Sequence, residues 1–259
     1  VFSTFGAFYE GIAREGMELW RYQRNLNGVN EGLNVTLHLS HVGACTGRDH
    51  FSGWALDWIT LGLGYLPYLH RFYTPCDARS AFVAIRDLAA NYGGHLIGIP
   101  RDNLPVLARQ DGSGALWDAK SPWEAVTGFR SYPGAKRAIL GLGATAFLAE
   151  EAAKTLQAKG TPTDAYVING FPITAETLAG LVKKYPQGLV TIEDGIIATP
   201  AQGLRGFAGL VAGAAYGSGV PLAHLGIVDP RVAPADGHME VWEHFGITAA
   251  AAVEAAQKL

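Results

Sequence analysis

The residues best suited to chemistry sit close together near the front of the chain. His41, Cys45, Arg48, Asp49 and His50 fall within the stretch HVGACTGRDH. Cys45 beside His41 has the composition of a nucleophile and its base, but nothing local would activate the thiol, so an inert cysteine is the plainer reading. His41, Asp49 and His50 are possible metal ligands, yet they lack the helical or hairpin spacing that fixes three donors around one ion. A second candidate is Glu193-Asp194 in the run VTIEDG. Paired carboxylates can divide acid and base roles, but adjacent residues of a strand point to opposite faces. A turn or interface role suits them better, and the same holds for Asp236, His238 and His244. Phe5 and Phe8, three apart, would share one edge of a helix start, where core packing is the ordinary use of aromatic rings.

These residues need elements to hold them, and the second half of the chain supplies a regular set. Apolar runs at 136–145, 164–169, 188–192 and 222–228 read as strands. Between them, 146–159, 174–185 and 204–216 carry helical spacing, and two closing helical pieces run from about 239 to 258, with Thr248 as a cap. Strand and helix alternate, so right-handed crossovers give a mainly parallel sheet with helices on both faces. The first half repeats the grammar loosely: a helix over 5–26, strands at 33–39, 69–73 and 95–100, and a helix over 79–92. The Gly- and Pro-containing stretch 108–133 is expected to connect two domains, 1–133 and 134–259. The first half thus opens on a helix with about three strands, as though a strand-helix unit were missing from its front. The chain also starts at Val1 without an initiator Met, as a processed or partial polypeptide would.

Composition narrows the function classes. Apolar residues make up 49% and charged residues 17%, enough to build a large core and too apolar for disorder. A net charge of −3 without runs of one sign supplies no field for nucleic acid or an anionic membrane. The most apolar stretch, 204–220, is interrupted by five glycines and reads as a buried helix rather than a membrane span. Two cysteines are too few for a disulfide framework, which fits a reduced, cytoplasmic compartment.

Taken in order, STFGAF, SHVG, GRD, TPCDARS and IPRDNLPVL, then AILGLGAT, VTIEDG, GIVDP and DGHMEVWEHFGIT, resemble the later part of transketolase-like thiamine-diphosphate enzymes. The resemblance covers nearly the whole chain. It implies two three-layer α/β/α domains, an incomplete pyrimidine-binding fold followed by a transketolase C-terminal-like domain. It also implies the activity, transfer of a two-carbon ketol unit from a ketose or its phosphate to an aldose, with thiamine diphosphate as cofactor. By the same resemblance Phe5 matches the aromatic residue that stacks on the cofactor's pyrimidine, with Phe8 one turn on. His41, Asp49 and His50 fall in the substrate loops, and Arg101 matches an arginine that binds the sugar phosphate through its planar fork.

Other parts of the family pattern are missing from these residues. The glutamate that activates the pyrimidine belongs to the unit before STFGAF, so no catalytic residue is assigned to this chain. The metal motif begins GDG, whereas the DG pairs here follow Gln110, Glu193 and Ala235, and no Asn follows Asn169. Mg²⁺ or Ca²⁺ and the diphosphate are therefore expected on a partner chain or an N-terminal region, within a homo- or hetero-oligomer. The substrate loop also departs: where the family has DGPTH, this chain reads Asp49-His50-Phe51-Ser52-Gly53, and a tyrosine expected near Gly11 is absent. That pattern implies retained cofactor contact with altered sugar specificity. The alternatives are the β-subunit of a 2-oxoacid dehydrogenase's decarboxylating component, a deoxyxylulose-phosphate-synthase-like enzyme, or a non-catalytic scaffold subunit.

Overall fold

A computed structural model describes residues 1–9, 11–12, 34–44, 56–231, 234 and 236–259. Its strands form two five-stranded sheets, each parallel except for one edge strand. In the first sheet β1 (Phe2–Phe5), β2 (Thr36–Ser40), β4 (His95–Ile99) and β3 (Arg71–Tyr73) lie side by side in that order. The short β8 (Gly170–Phe171) closes the far edge antiparallel to β3. In the second sheet the order is β10 (Leu222–Ile227), β9 (Leu189–Ile196), β6 (Ala138–Leu142), β7 (Asp164–Ile168) and β5 (Val126–Arg130).

Alternate residues of the second sheet feed two separate cores. Ile139, Ala165, Val167, Val190 and Ile192 face α3 (Ala146–Ala158) and α7 (Ala249–Lys258). Ala138, Leu140, Ile168 and Leu189 face α4 (Ala175–Lys184) and α5 (Gly206–Ala215). That period of two, with a helix pair on each face, is the three-layer arrangement expected from the alternating sequence. Helix α3 buries Leu148, Ala149, Ala152, Ala153 and Leu156, one stripe at helical spacing. The expected cap is present, the Thr248 hydroxyl accepting from Ala251 N, and the Thr174 hydroxyl likewise accepts from Thr177 N at the start of α4.

In the first sheet, α1 (Trp58–Tyr65) lays Trp58 edge-on to Phe72 with centroids 5.3 Å apart. Helix α2 (Ala78–Ala90) begins with a reciprocal capping box between Asp77 and Ser80. Helix α6 (His238–His244) meets the turn after β4 through His238, as described below.

Three expectations are corrected. The chain opens on a strand before its helix: Phe2–Phe5 pairs with β2 and leads through a tight turn over Gly6–Phe8 into helical Tyr9, Gly11 and Ile12, while the rest of the expected helix lies outside the described residues. The first half is not limited to three strands: β1 makes four in its sheet, and β8 from the second half of the chain brings that sheet to five. The stretch 108–133 is not all connection, since Val126–Arg130 pairs antiparallel with β7 in the second sheet. A short edge strand has too few residues to display a period, so only its partner reveals it.

Candidate functional site

Strands β1, β2 and β4 run parallel and end together, with Phe5 opposite Ser40 and Ser40 opposite Ile99. The carboxyl edge of such a sheet is where open α/β folds take ligands. Here it presents Phe5 from β1, His41 from the turn after β2 and Arg101 from the turn after β4.

The Phe5 ring lies 4.6 Å from the His41 ring, centroid to centroid, and 6.2 Å from that of Phe8. Phe5 is 45% and Phe8 59% exposed, so neither packs in the core as the plain sequence reading supposed. His41 adopts a left-handed backbone (φ 58°), uncommon outside glycine and held only where neighbours determine it. The turn continues through Gly43, also left-handed (φ 63°).

Asp194 explains that turn. Its buried carboxylate accepts a hydrogen bond from Ala44 N at 3.1 Å and fills the space where a Cβ on Gly43 would stand, 2.1 Å from Oδ2. Its neighbour Glu193 points the other way and accepts from Phe207 N (3.1 Å) and Ala208 N (2.7 Å), capping α5. Gly206 is left-handed (φ 66°), and a side chain there would meet the Glu193 carboxylate. Burial raises both carboxyls, Glu193 to about 8 and Asp194 to about 6. The amides they accept from pull in the opposite direction, and His238 adds to the pull on Asp194.

Arg101 is exposed at the rim of a cavity of about 230 Å³ that Pro75, Cys76, Asp77 and Asn103 also line. Asp77 stiffens this wall by accepting from both Ser80 N (2.7 Å) and Leu107 N (2.9 Å). Next to Arg101, Asp102 accepts from the backbone N of His238 at 3.2 Å and pairs with its Nδ1 at 2.7 Å. Cys76 is buried against Ser80, and burial pushes its thiol well up, which argues against a nucleophile.

The structure therefore brings together Phe5, Phe8 and His41, with Arg101 on the turn after the strand adjacent to β2. Asp49, His50 and Cys45 lie outside the described residues. Sequence reasoning missed Gly43, Asp102 and the inward reach of Asp194 and His238. The only local signal was Gly43, the glycine that ends the SHVG run. The two half-exposed rings fit a flat aromatic ligand such as an aminopyrimidine. Among the described residues, no three His, Cys, Asp or Glu side chains gather as a metal site, and no helix is long and apolar enough to cross a membrane.

No protein-family model matches the sequence, and no curated protein matches it. Solved structures do match. A split-gene transketolase, described as an inactive β4 tetramer, superposes with a TM-score of 0.70 at 21% identity, covering 99% of this chain and 74% of that one. A Campylobacter jejuni transketolase gives 0.65 at 13% identity, with 99% of this chain on 35% of its own. A Pichia stipitis transketolase mutant in complex with xylulose-5-phosphate gives 0.64 at 16%, covering 99% and 33%. At these identities the likeness is one of fold. The chain spans about a third of these two longer transketolases.

Proposed function

We propose that this chain is the pyrimidine-facing and C-terminal part of a transketolase-like enzyme that moves a two-carbon ketol unit from a ketose to an aldose. The observation that carries the reading is the half-exposed Phe5 ring set against His41 at the carboxyl edge of the first sheet, in a fold shared with transketolases over 99% of the chain. Thiamine diphosphate, when bound, supplies the chemistry that breaks and remakes the ketose carbon–carbon bond. Phe5 would stack on its pyrimidine, Phe8 would border the same ring, and His41 would face the substrate side. Arg101 would hold a sugar phosphate, and Asp49 and His50 would read sugar hydroxyls. The domains would divide near residue 133.

The activating carboxylate, the Mg²⁺ or Ca²⁺ ligands and the diphosphate cradle would come from a separate N-terminal chain or region, in a homo- or hetero-oligomer. This chain by itself would then be inactive, a condition that the name of the split-gene neighbour also describes.

The test is to assemble the chain with the region that carries the diphosphate-binding domain and titrate it with thiamine diphosphate and Mg²⁺. Transfer from a ketose to an aldose is then followed. Saturable binding with ketol transfer supports the proposal. Decarboxylation of a 2-oxoacid without ketol transfer would move the chain to the dehydrogenase or synthase alternative, and binding without any turnover to the scaffold reading.

A further inference from the structure

Two turns leave the carboxyl edge of the first sheet next to one another, 41–44 after β2 and 100–102 after β4. The second half of the chain holds each with one side chain. Asp194 takes Ala44 N at 3.1 Å and stands beneath Gly43, while His238 takes Asp102 through both its backbone N and its Nδ1. The holders belong to one assembly. Asp194 lies in the last part of β9, and His238 opens α6 with its ring edge-on to buried Trp242 at 4.9 Å.

Neither contact is inexpensive cement. Asp194 is 3% exposed, and a buried carboxylate is costly unless its hydrogen bonds return something. What it holds is a turn with two left-handed residues, one of them His41, whose ring faces Phe5. A non-glycine residue keeps that backbone only where its surroundings determine it. A Cβ on Gly6 would stand 3.0 Å from the His41 carbonyl oxygen, so the turns after β1 and β2 pack closely against one another.

We infer that Asp194 and His238 are positioning residues, through which the C-terminal half sets the geometry of the ligand-facing turns. Asp194 fixes the turn that sets His41 against Phe5, and His238 fixes the turn that carries Arg101. The functional side of this inference rests on the reading in the preceding section. The positioning itself does not.

The experiment uses the assembled complex with Asp194→Ala, Asp194→Asn, His238→Ala and Phe5→Ala. Amide exchange is read at Ala44 and, as a core control, at Ile192. In Asp194→Ala, exchange at Ala44 should rise about tenfold or more with Ile192 unchanged, and Asp194→Asn, which keeps an acceptor oxygen, should restore part of the protection. Thiamine diphosphate should bind about three- to tenfold more weakly to Asp194→Ala, and the loss should not add to that of Phe5→Ala, because both act on one ring contact. His238→Ala should raise KM for a phosphorylated sugar severalfold with kcat held. Unchanged Ala44 exchange in both Asp194 variants would overturn the positioning role, as would a loss fully additive with Phe5→Ala. If the unmutated complex fails to bind thiamine diphosphate, the functional reading fails while the exchange measurement still decides the positioning.

Discussion

The carboxylate of Asp194 occupies the space that a side chain on Gly43 would need: a Cβ there would stand 2.1 Å from Oδ2. The two residues are complementary across the boundary between the sheets. One supplies a charge to a turn amide, and the other removes its side chain to admit it.

Gly43→Ala should therefore be destabilising on two counts. A left-handed alanine costs about 1–2 kcal/mol, and the clash with Asp194 adds to it. Urea unfolding should show a loss of about 2 kcal/mol or more. Adding Asp194→Ala should recover the steric part and leave the backbone part, so the double variant should be less damaged than the sum of the single ones.

The stability that Glu193 and Asp194 contribute should fall as the pH rises from about 4 to about 8. Glu193 and Asp194 are raised by burial, to about 8 and about 6, so the native state binds more protons than the unfolded chain over that window. Their share of the slope of unfolding free energy with pH is then negative, opposed by His38, His70, His95 and His224, which burial holds below the usual imidazole value. The carboxyls' contribution is fully present below the unfolded carboxyl value near 4 and is lost as pH passes each folded value, by at most about 1.4 kcal/mol per pH unit for each proton. Denaturant midpoints at pH 5, 7 and 9 measure it. Asp194→Asn should flatten the slope below about 6, and Glu193→Gln should flatten it between 6 and 8.

Phe5→Ala should weaken cofactor binding with little loss of stability, because the ring is 45% exposed. An offset aromatic stack contributes about 0.5–1.5 kcal/mol beyond burial, so a three- to tenfold rise in Kd for thiamine diphosphate is expected, with a nearly unchanged Tm. A large drop in Tm would mean that the ring is chiefly a packing group.

Arg101→Ala should affect phosphorylated sugars most. The side chain is exposed beside its cavity, and a guanidinium earns its selectivity from phosphate oxygens. KM for a sugar phosphate should rise about tenfold or more, with unphosphorylated sugars little changed. An equal loss on both would remove Arg101 from the phosphate site.

Cys76 should stay unlabelled by thiol reagents in the native protein near neutral pH and react once urea is added. It is 3% exposed, and burial raises its thiol. Peptide mapping by mass distinguishes it from Cys45.

Much of this architecture is written locally. The helices around Leu148, Leu178 and Val253 show apolar residues three and four apart, and Thr248 caps in the structure as its position suggests. Strands such as Ala138–Leu142 and Asp164–Ile168 are short apolar runs between turns, and their buried faces follow from that. Even the candidate aromatic pair and Arg101 were nameable from ordered motifs.

The tertiary structure decided what no window of sequence contains. Phe2–Phe5 is a strand because β2 lies beside it, Val126–Arg130 because β7 does, and Gly170–Phe171 crosses to the other sheet. Asp194 meets Ala44 across 150 residues, and His238 meets Asp102 across 136. Helical periods and caps are set by neighbours within a turn, so they can be read from order alone. Contacts at such separations depend on where whole layers pack and on the closure of long loops, and the chain discloses them only once it has folded.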